Sequence, residues 1–208
     1  MVRLTEKQIQ FYKDNGYIHL KKLIKGEELE RVSKEYDDLF RRKNQAKTES
    51  GWVGSDDTFR ESDSPYTVKG IHNLQMHHAV FGKLLYNDDL LDALEDVMGT
   101  KNIVLHHTKA HYKPPEKGAS YPMHQKKFPI ERATPVIAEA GDVVIFSYFL
   151  IHGSTPNNST RPRRMFLAQL ADAHDKPIGG ERGQPGRGWL LRGVNLDRDA
   201  TVANRAQD

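Results

Sequence analysis

"ATPVIAEAGDVVIFSYFLIHGSTPNNSTRPRRMFLAQL", residues 133–170, is the stretch on which the fold turns. Its middle, "DVVIFSYFLIH", is apolar at almost every position, and its end, "RMFLAQLA", alternates; both patterns belong to β-strands. Between them the glycine, prolines, asparagines and serines of "GSTPNNSTRP" turn the chain. Upstream, "NIVLHHTKAHY" at 102–112 alternates and is β-branched at its start, so it too is expected to be a strand.

The first half reads differently. "LTEKQIQFYKDNGYIHL", residues 4–20, opens with Thr5 as an N-cap, places Ile9, Phe11 and Tyr12 on one side of a short helix, and stops at Asn15-Gly16 before a strand from Tyr17 to Leu20. In "GEELERVSKEYDDLFRRK" Leu29, Val32, Tyr36 and Leu39 recur at helical spacing, the pattern of a surface helix. Residues 44–65 are polar and aperiodic, a long loop. "HHAVFGKLLYNDDLLDALEDVMG" is helical again, broken near Asn87 and ended by Gly99. Helices followed by strands predict an α+β fold with a mainly β core. One domain over 1–208 is expected: helices to about residue 100, a β core over 101–172, and a tail over 173–208 with a short final segment, Trp189 to Leu196.

Composition narrows the function. The chain has 208 residues, 37% apolar and 28% charged, enough for one core. It has no cysteine, so any metal would be held by nitrogen and oxygen, and neither disulfides nor thiolate nucleophiles are available. A net charge of +3 with scattered basic residues does not point to nucleic acid. No window reaches the roughly 18 apolar residues of a membrane span, and "MVRLTEKQIQ" has no secretory apolar run, so an intracellular, cytoplasmic location is expected. "RLTEKQIQF" also fits a loose peroxisomal address, but the amphipathic opening helix explains the same letters.

Of ten histidines, most have structural explanations: His77 and His78 fall in a predicted helix, His19 and His174 at element ends, and the neighbours His106 and His107 on opposite faces of a strand. Two stand in a different context. His124 follows a Lys-Pro-Pro-Glu-Lys-Gly loop, and His152 ends the most apolar strand. Ser154 is two residues beyond His152, on the same face of an extended chain, and Arg163 is eleven beyond it, enough to turn and return on the neighbouring strand. Hydroxyl and guanidinium together suit a carboxylate. An imidazole-bound metal beside them suggests an iron site with a dicarboxylate cosubstrate; an ordinary hairpin with surface arginines is the plainer explanation of the same spacing.

"HHTKAHYKPPEKGASYPMHQ" at 106–125 and the 133–170 stretch together resemble the phytanoyl-CoA dioxygenase (PhyH) family, as does the helical opening; the resemblance covers most of residues 3–172. It implies a double-stranded β-helix, or jelly-roll, with N-terminal helices. It also implies Fe(II), 2-oxoglutarate as cosubstrate, O2, and hydroxylation of a small-molecule substrate with decarboxylation of 2-oxoglutarate to succinate. By the same resemblance His124 and His152 are metal ligands, while Arg163, Ser154 and Lys69 of "YTVKG" bind 2-oxoglutarate. Neither nucleic acid nor a membrane is an expected partner.

The departure from the family is as informative. Its metal-binding aspartate belongs at position 126, where this chain has Lys126, and its strands between "HQD" and "ATPV" are absent. Only 27 residues separate His124 from His152. Several strands of 5–6 residues with their turns would need about 40, so about two fit and the barrel is expected to be shortened in its middle. Three explanations compete. A segment is missing from the sequence as read; or the chain is a shortened, catalytically silent relative that binds a carboxylate or a partner; or, as in related halogenases, the acid's place is given to a halide, for which lysine is too large. Glu131, Glu139 and Asp142 are substitute acids, the first two readable as solvated loop residues and the third as part of a turn after Gly141.

Overall fold

The computed structural model describes residues 3–46, 69–115, 129–175 and 186–194. Helix α1 (Glu6–Asn15) starts in a capping box: Thr5 Oγ1 accepts from Gln8 N, and Gln8 Oε1 accepts from Thr5 N at 2.9 Å. It ends at Gly16, whose φ of 74° only glycine adopts cheaply, and the chain enters β1 (Tyr17–Leu20). Helix α2 (Gly26–Gln45) buries Val32, Tyr36, Leu39 and Phe40. The next helical pattern divides where Asn87 interrupts it, into α3 (Ala79–Leu85) and α4 (Asp88–Met98), with Asn87 Oδ1 capping Leu90 N at 2.9 Å and Gly99 closing α4. His77 and His78, expected inside a helix, precede it instead: His78 is the N-cap of α3, its Nδ1 accepting from Val80 N.

Among the described residues, six strands form two antiparallel sheets. One contains β2 (Gly70–His72), β3 (Ile103–Lys113) and β5 (Arg163–Asp172) in that order, with β6 (Trp189–Arg192) also paired to β3. The other joins β1 to β4 (Val143–Phe146). The helices cover one face of both. Ile71, Ala110 and Phe166 pack against Tyr36, Leu39 and Phe81; Ile103 and Leu105 against Leu85, Leu91 and Leu94; Ile18, Leu20, Val143 and Ile145 around Ala93. Tyr36 ties α2 to the larger sheet, its hydroxyl donating to His111 O at 2.7 Å and accepting from Met165 N at 3.4 Å.

Because Val143 and Ile145 pack into the clusters that also hold Ala110 and Phe166, both sheets lie on one helical layer. Yet among the described residues no ladder joins β4 to β5 and no barrel closes. Among the described residues the structure agrees with a jelly-roll that is not closed. All four residues of β4 are half-exposed, though in a completed barrel they would be covered.

Two expectations about strands are corrected. The apolar run does not stay extended to His152: pairing with β1 stops at Phe146, Ser147 N makes a last bond to Gly16 O, and a turn follows in which Leu150 N bonds Ser147 O. Tyr148 and Phe149, 75% and 81% exposed, are apolar without being buried, because β1 is only four residues long and offers them no partner. Arg163 does return along a neighbouring strand, but that strand is β3 rather than the one preceding His152.

Candidate functional site

The face of the larger sheet turned away from the helices gathers basic side chains. Alternation along β3 sends Ile103, Leu105 and Ala110 to the core, leaving His107, Lys109, His111 and Lys113 on the opposite face. Register brings His72 opposite Lys109, Met165 opposite His111 and Arg163 opposite Lys113. His106 and His107 are not on opposite faces as the plain strand rule predicts. The register shifts between Leu105 and His107, and this bulge sets the two rings side by side, centroids 4.8 Å apart and Nδ1 atoms 2.5 Å apart. Burial and the nearby Lys109 ammonium depress the pKa of both His107 and His111 to about 4.

At the Lys113 end, two stretches of the sequence lock together. Asn157, 7% exposed, reaches the carbonyls of Lys113 and Pro114 at 3.1 Å and of Arg161 at 2.8 Å through Nδ2, while its Oδ1 accepts from Ser159 Oγ at 2.8 Å. The "PNN" turn is thereby fastened to the end of "HYKPP". Lys113, only 4% exposed, donates from Nζ to Ser154 Oγ at 2.7 Å and to Thr155 O at 2.9 Å. Burial, and secondly the Arg163 charge, lower its pKa to about 8. An ammonium has donors only, so Ser154 Oγ must accept from it and turn its own proton elsewhere. Arg163 is exposed, opening β5 directly across from Lys113 and close enough to perturb it. Hydroxyl, ammonium and guanidinium thus gather at one strand end, an arrangement able to bind a carboxylate.

Lys69 stands one residue ahead of β2, its carbonyl accepting from Tyr112 N at 2.9 Å and its ammonium pKa lowered by burial. Lys113 and Asn157 were not among the predicted site residues. The signal was present: a lysine ahead of Pro-Pro and an asparagine after Thr-Pro, both inside the two quoted blocks.

The metal side is less complete. His152 rests against Phe146, ring centroids 4.8 Å apart, and its Nδ1 lies 2.8 Å from Leu150 O. A carbonyl only accepts, so Nδ1 carries the proton, the tautomer that an imidazole binding a metal through Nε2 would need. His124 and Lys126 lie outside the described residues. No group of three acids or histidines among the described residues could hold a metal. Asp142 cannot substitute: it accepts from Lys22 N at 2.8 Å, from Glu139 N at 3.0 Å and bonds His19 Nε2 at 2.8 Å, which holds its pKa down to about 2. Glu131 and Glu139 are exposed. The described residues therefore have the chemistry a dicarboxylate cosubstrate would need, but include only one of the two expected metal-binding imidazoles and no available carboxylate beside it. A shallow groove of about 420 Å³ between α1, β1 and residues 135–137 involves none of these groups.

Helices packed on one face of antiparallel strands, with an imidazole and a cluster of hydroxyl, ammonium and guanidinium on the other, make a cupin-like fold. The sequence matches the family profile "Phytanoyl-CoA dioxygenase (PhyH)" over residues 12–128 and 126–165, and the chain belongs to that family of Fe(II)/2-oxoglutarate-dependent oxygenases. The two matched stretches meet at residues 126–128, beside the position where the family's middle strands are expected to be lost. Among solved structures, EctD from S. alaskensis with 2-oxoglutarate and 5-hydroxyectoine is similar with a TM-score of 0.68 at 17% identity, over 92% of this chain and 84% of that one. The 2-oxoglutarate-dependent epimerase SnoN from nogalamycin biosynthesis gives 0.63 at 18%, over 90% and 98%. EvdMO1 gives 0.65 at 19%, over 80% of this chain and 49% of its own. No curated protein matches in sequence.

Proposed function

We propose that this chain binds 2-oxoglutarate against Ser154, Arg163 and Lys69 and, with His124 and His152 as its protein metal ligands, acts as an Fe(II)/2-oxoglutarate-dependent dioxygenase. In this reading it hydroxylates a small organic substrate while 2-oxoglutarate is decarboxylated to succinate. The observation that carries it is the corner where Lys113 holds Ser154 beside Arg163. There the Arg163 fork pairs with the far carboxylate, the Ser154 proton points to one of its oxygens, and the buried Lys113 keeps that hydroxyl from rotating away. Iron, when bound, supplies the activation of oxygen. EctD and SnoN, solved with 2-oxoglutarate, show that this fold accommodates such a cosubstrate in those proteins.

A second reading is favoured by Lys126 and by the engagement of Asp142: a catalytically silent relative that binds a carboxylate or a partner through the same corner. Losing an anionic ligand weakens iron binding. Anaerobic titration of the protein with Fe(II) and then 2-oxoglutarate separates the two. A weak visible charge-transfer band, with succinate formed on admitting oxygen, supports the enzyme. Arg163-dependent binding of 2-oxoglutarate without band or succinate supports the silent relative. Failure to bind 2-oxoglutarate at all removes the enzyme and leaves the silent relative only as a binder of another carboxylate or of a partner.

A further inference from the structure

We infer that the same sheet face carries a second anion-binding subsite, built on Lys109 with His72 and His107, which takes a carboxylate or phosphate group of the substrate. It rests on the proposed function only in assigning the Arg163 end of the face to 2-oxoglutarate.

The placement comes from register. Lys109 lies directly across the ladder from His72, and His107 is two residues before it on β3, so all three side chains share one face. The His72 and His107 rings are nearly parallel, 17° apart in plane, with centroids 6.4 Å apart. Lys109 is half-buried, yet among the described residues it has neither a hydrogen bond nor a carboxylate partner. His107 Nε2 is buried without a hydrogen-bond partner. Among the described residues, the charged or titratable groups that act on His72 and His107, namely Lys109, His106 and Arg187 besides each other, and those that act on neighbouring His111, namely Lys109, His72 and Lys113, are all basic.

A half-buried cation and an orphaned buried ring nitrogen are each costly on their own. One oxyanion seated between them relieves both, receiving the ammonium's protons and an imidazole N–H together. The subsite is not the cosubstrate corner seen twice. Lys109 lies four residues before Lys113 on β3, about 13 Å along an extended strand, so the two clusters are centred on different parts of the face, and the Arg163→Gln variant below separates them. The consequence is a substrate that brings its own negative charge.

The test uses the full chain without metal. Inorganic phosphate and, separately, succinate are titrated against chloride at matched ionic strength while the imidazole carbon-bound proton resonances are followed, assigned with His72→Gln and His107→Gln. Saturable shifts of His72 and His107 are expected, and the anion with the stronger response identifies phosphate or carboxylate as the substrate's group. Lys109→Met should weaken the titration about tenfold or more, the loss of one charge-assisted contact, and Lys109→Arg should retain it. Arg163→Gln should leave these shifts unchanged while reducing 2-oxoglutarate binding. The inference is overturned if neither anion moves the two rings, or if Lys109→Met, folded by circular dichroism, titrates like the unaltered protein. If the Lys109-dependent shifts persist but 2-oxoglutarate shows no Arg163-dependent binding, the subsite stands and the oxygenase reading falls.

Discussion

Acidification from pH 7 to pH 4 should destabilise this protein through two histidines of the open sheet face. His107 and His111 each have a pKa near 4 in the fold, because burial and the Lys109 charge oppose protonation. In the unfolded chain both return to about 6.5. Between those values the unfolded state binds more protons than the native one, so stability falls as pH drops through 6.5 and the loss is complete only near pH 4. A displacement from about 6.5 to about 4 would correspond to roughly 3 kcal/mol for a fully buried ring, and solvent screening of these partly exposed rings reduces it to about 1–2 kcal/mol each. For the two together that is a sizeable part of the roughly 5–15 kcal/mol typical of a domain. Urea denaturation at pH 7, 6, 5 and 4 measures it as a falling midpoint at constant slope. His107→Gln and His111→Gln should each flatten the decline between pH 6.5 and 4 by about half and leave the midpoint at pH 7 to 8 nearly unchanged. The carboxylates act in a separate window, since Asp142 keeps its native proton affinity low down to a pKa of about 2 and its contribution is lost only as pH falls toward that value. If both glutamine variants decline as steeply as the parent between pH 6.5 and 4, the account of this face as a desolvated basic surface is wrong.

Three further outcomes follow from particular contacts. Lys113→Met frees the Ser154 hydroxyl and removes a charge, and should weaken 2-oxoglutarate binding about tenfold by calorimetry; in the parent, affinity should also fall as pH rises through about 8, a dependence the variant lacks. Gly141 has φ 89°, and an added Cβ would lie 2.1 Å from Ile24 O, so Gly141→Ala should cost about 1–3 kcal/mol and lower the melting temperature. Arg192 pairs with Asp92, 2% exposed, at 2.6 Å; Arg192→Leu strands that carboxylate and should cost about 3 kcal/mol in denaturant titrations, part of which Asp92→Leu in the same chain restores.

Local structure was legible wherever neighbouring residues alone decide it. Thr5 with Gln8, Asn15-Gly16, Asn87 and Gly99 mark helix ends because capping is a matter of a few adjacent hydrogen bonds. The loss of the barrel's middle could likewise be counted, from 27 residues between His124 and His152. What misled was the apolar run at 143–151. Hydrophobicity says that a residue would profit from burial, not that a partner exists, and β1 ends before Tyr148 and Phe149 can be paired.

His152, Ser154 and Arg163 could be proposed from the sequence because their types and family-like spacing suit the chemistry, and the helices and strands follow from patterns within the chain. Only tertiary structure decided that Lys113 governs the Ser154 hydroxyl, that Asn157 fastens its turn, that a bulge sets His106 beside His107, and that Lys109 faces His72. These depend on register between strands far apart in sequence, and a one-residue slip would send every one of those side chains to the other face of the sheet.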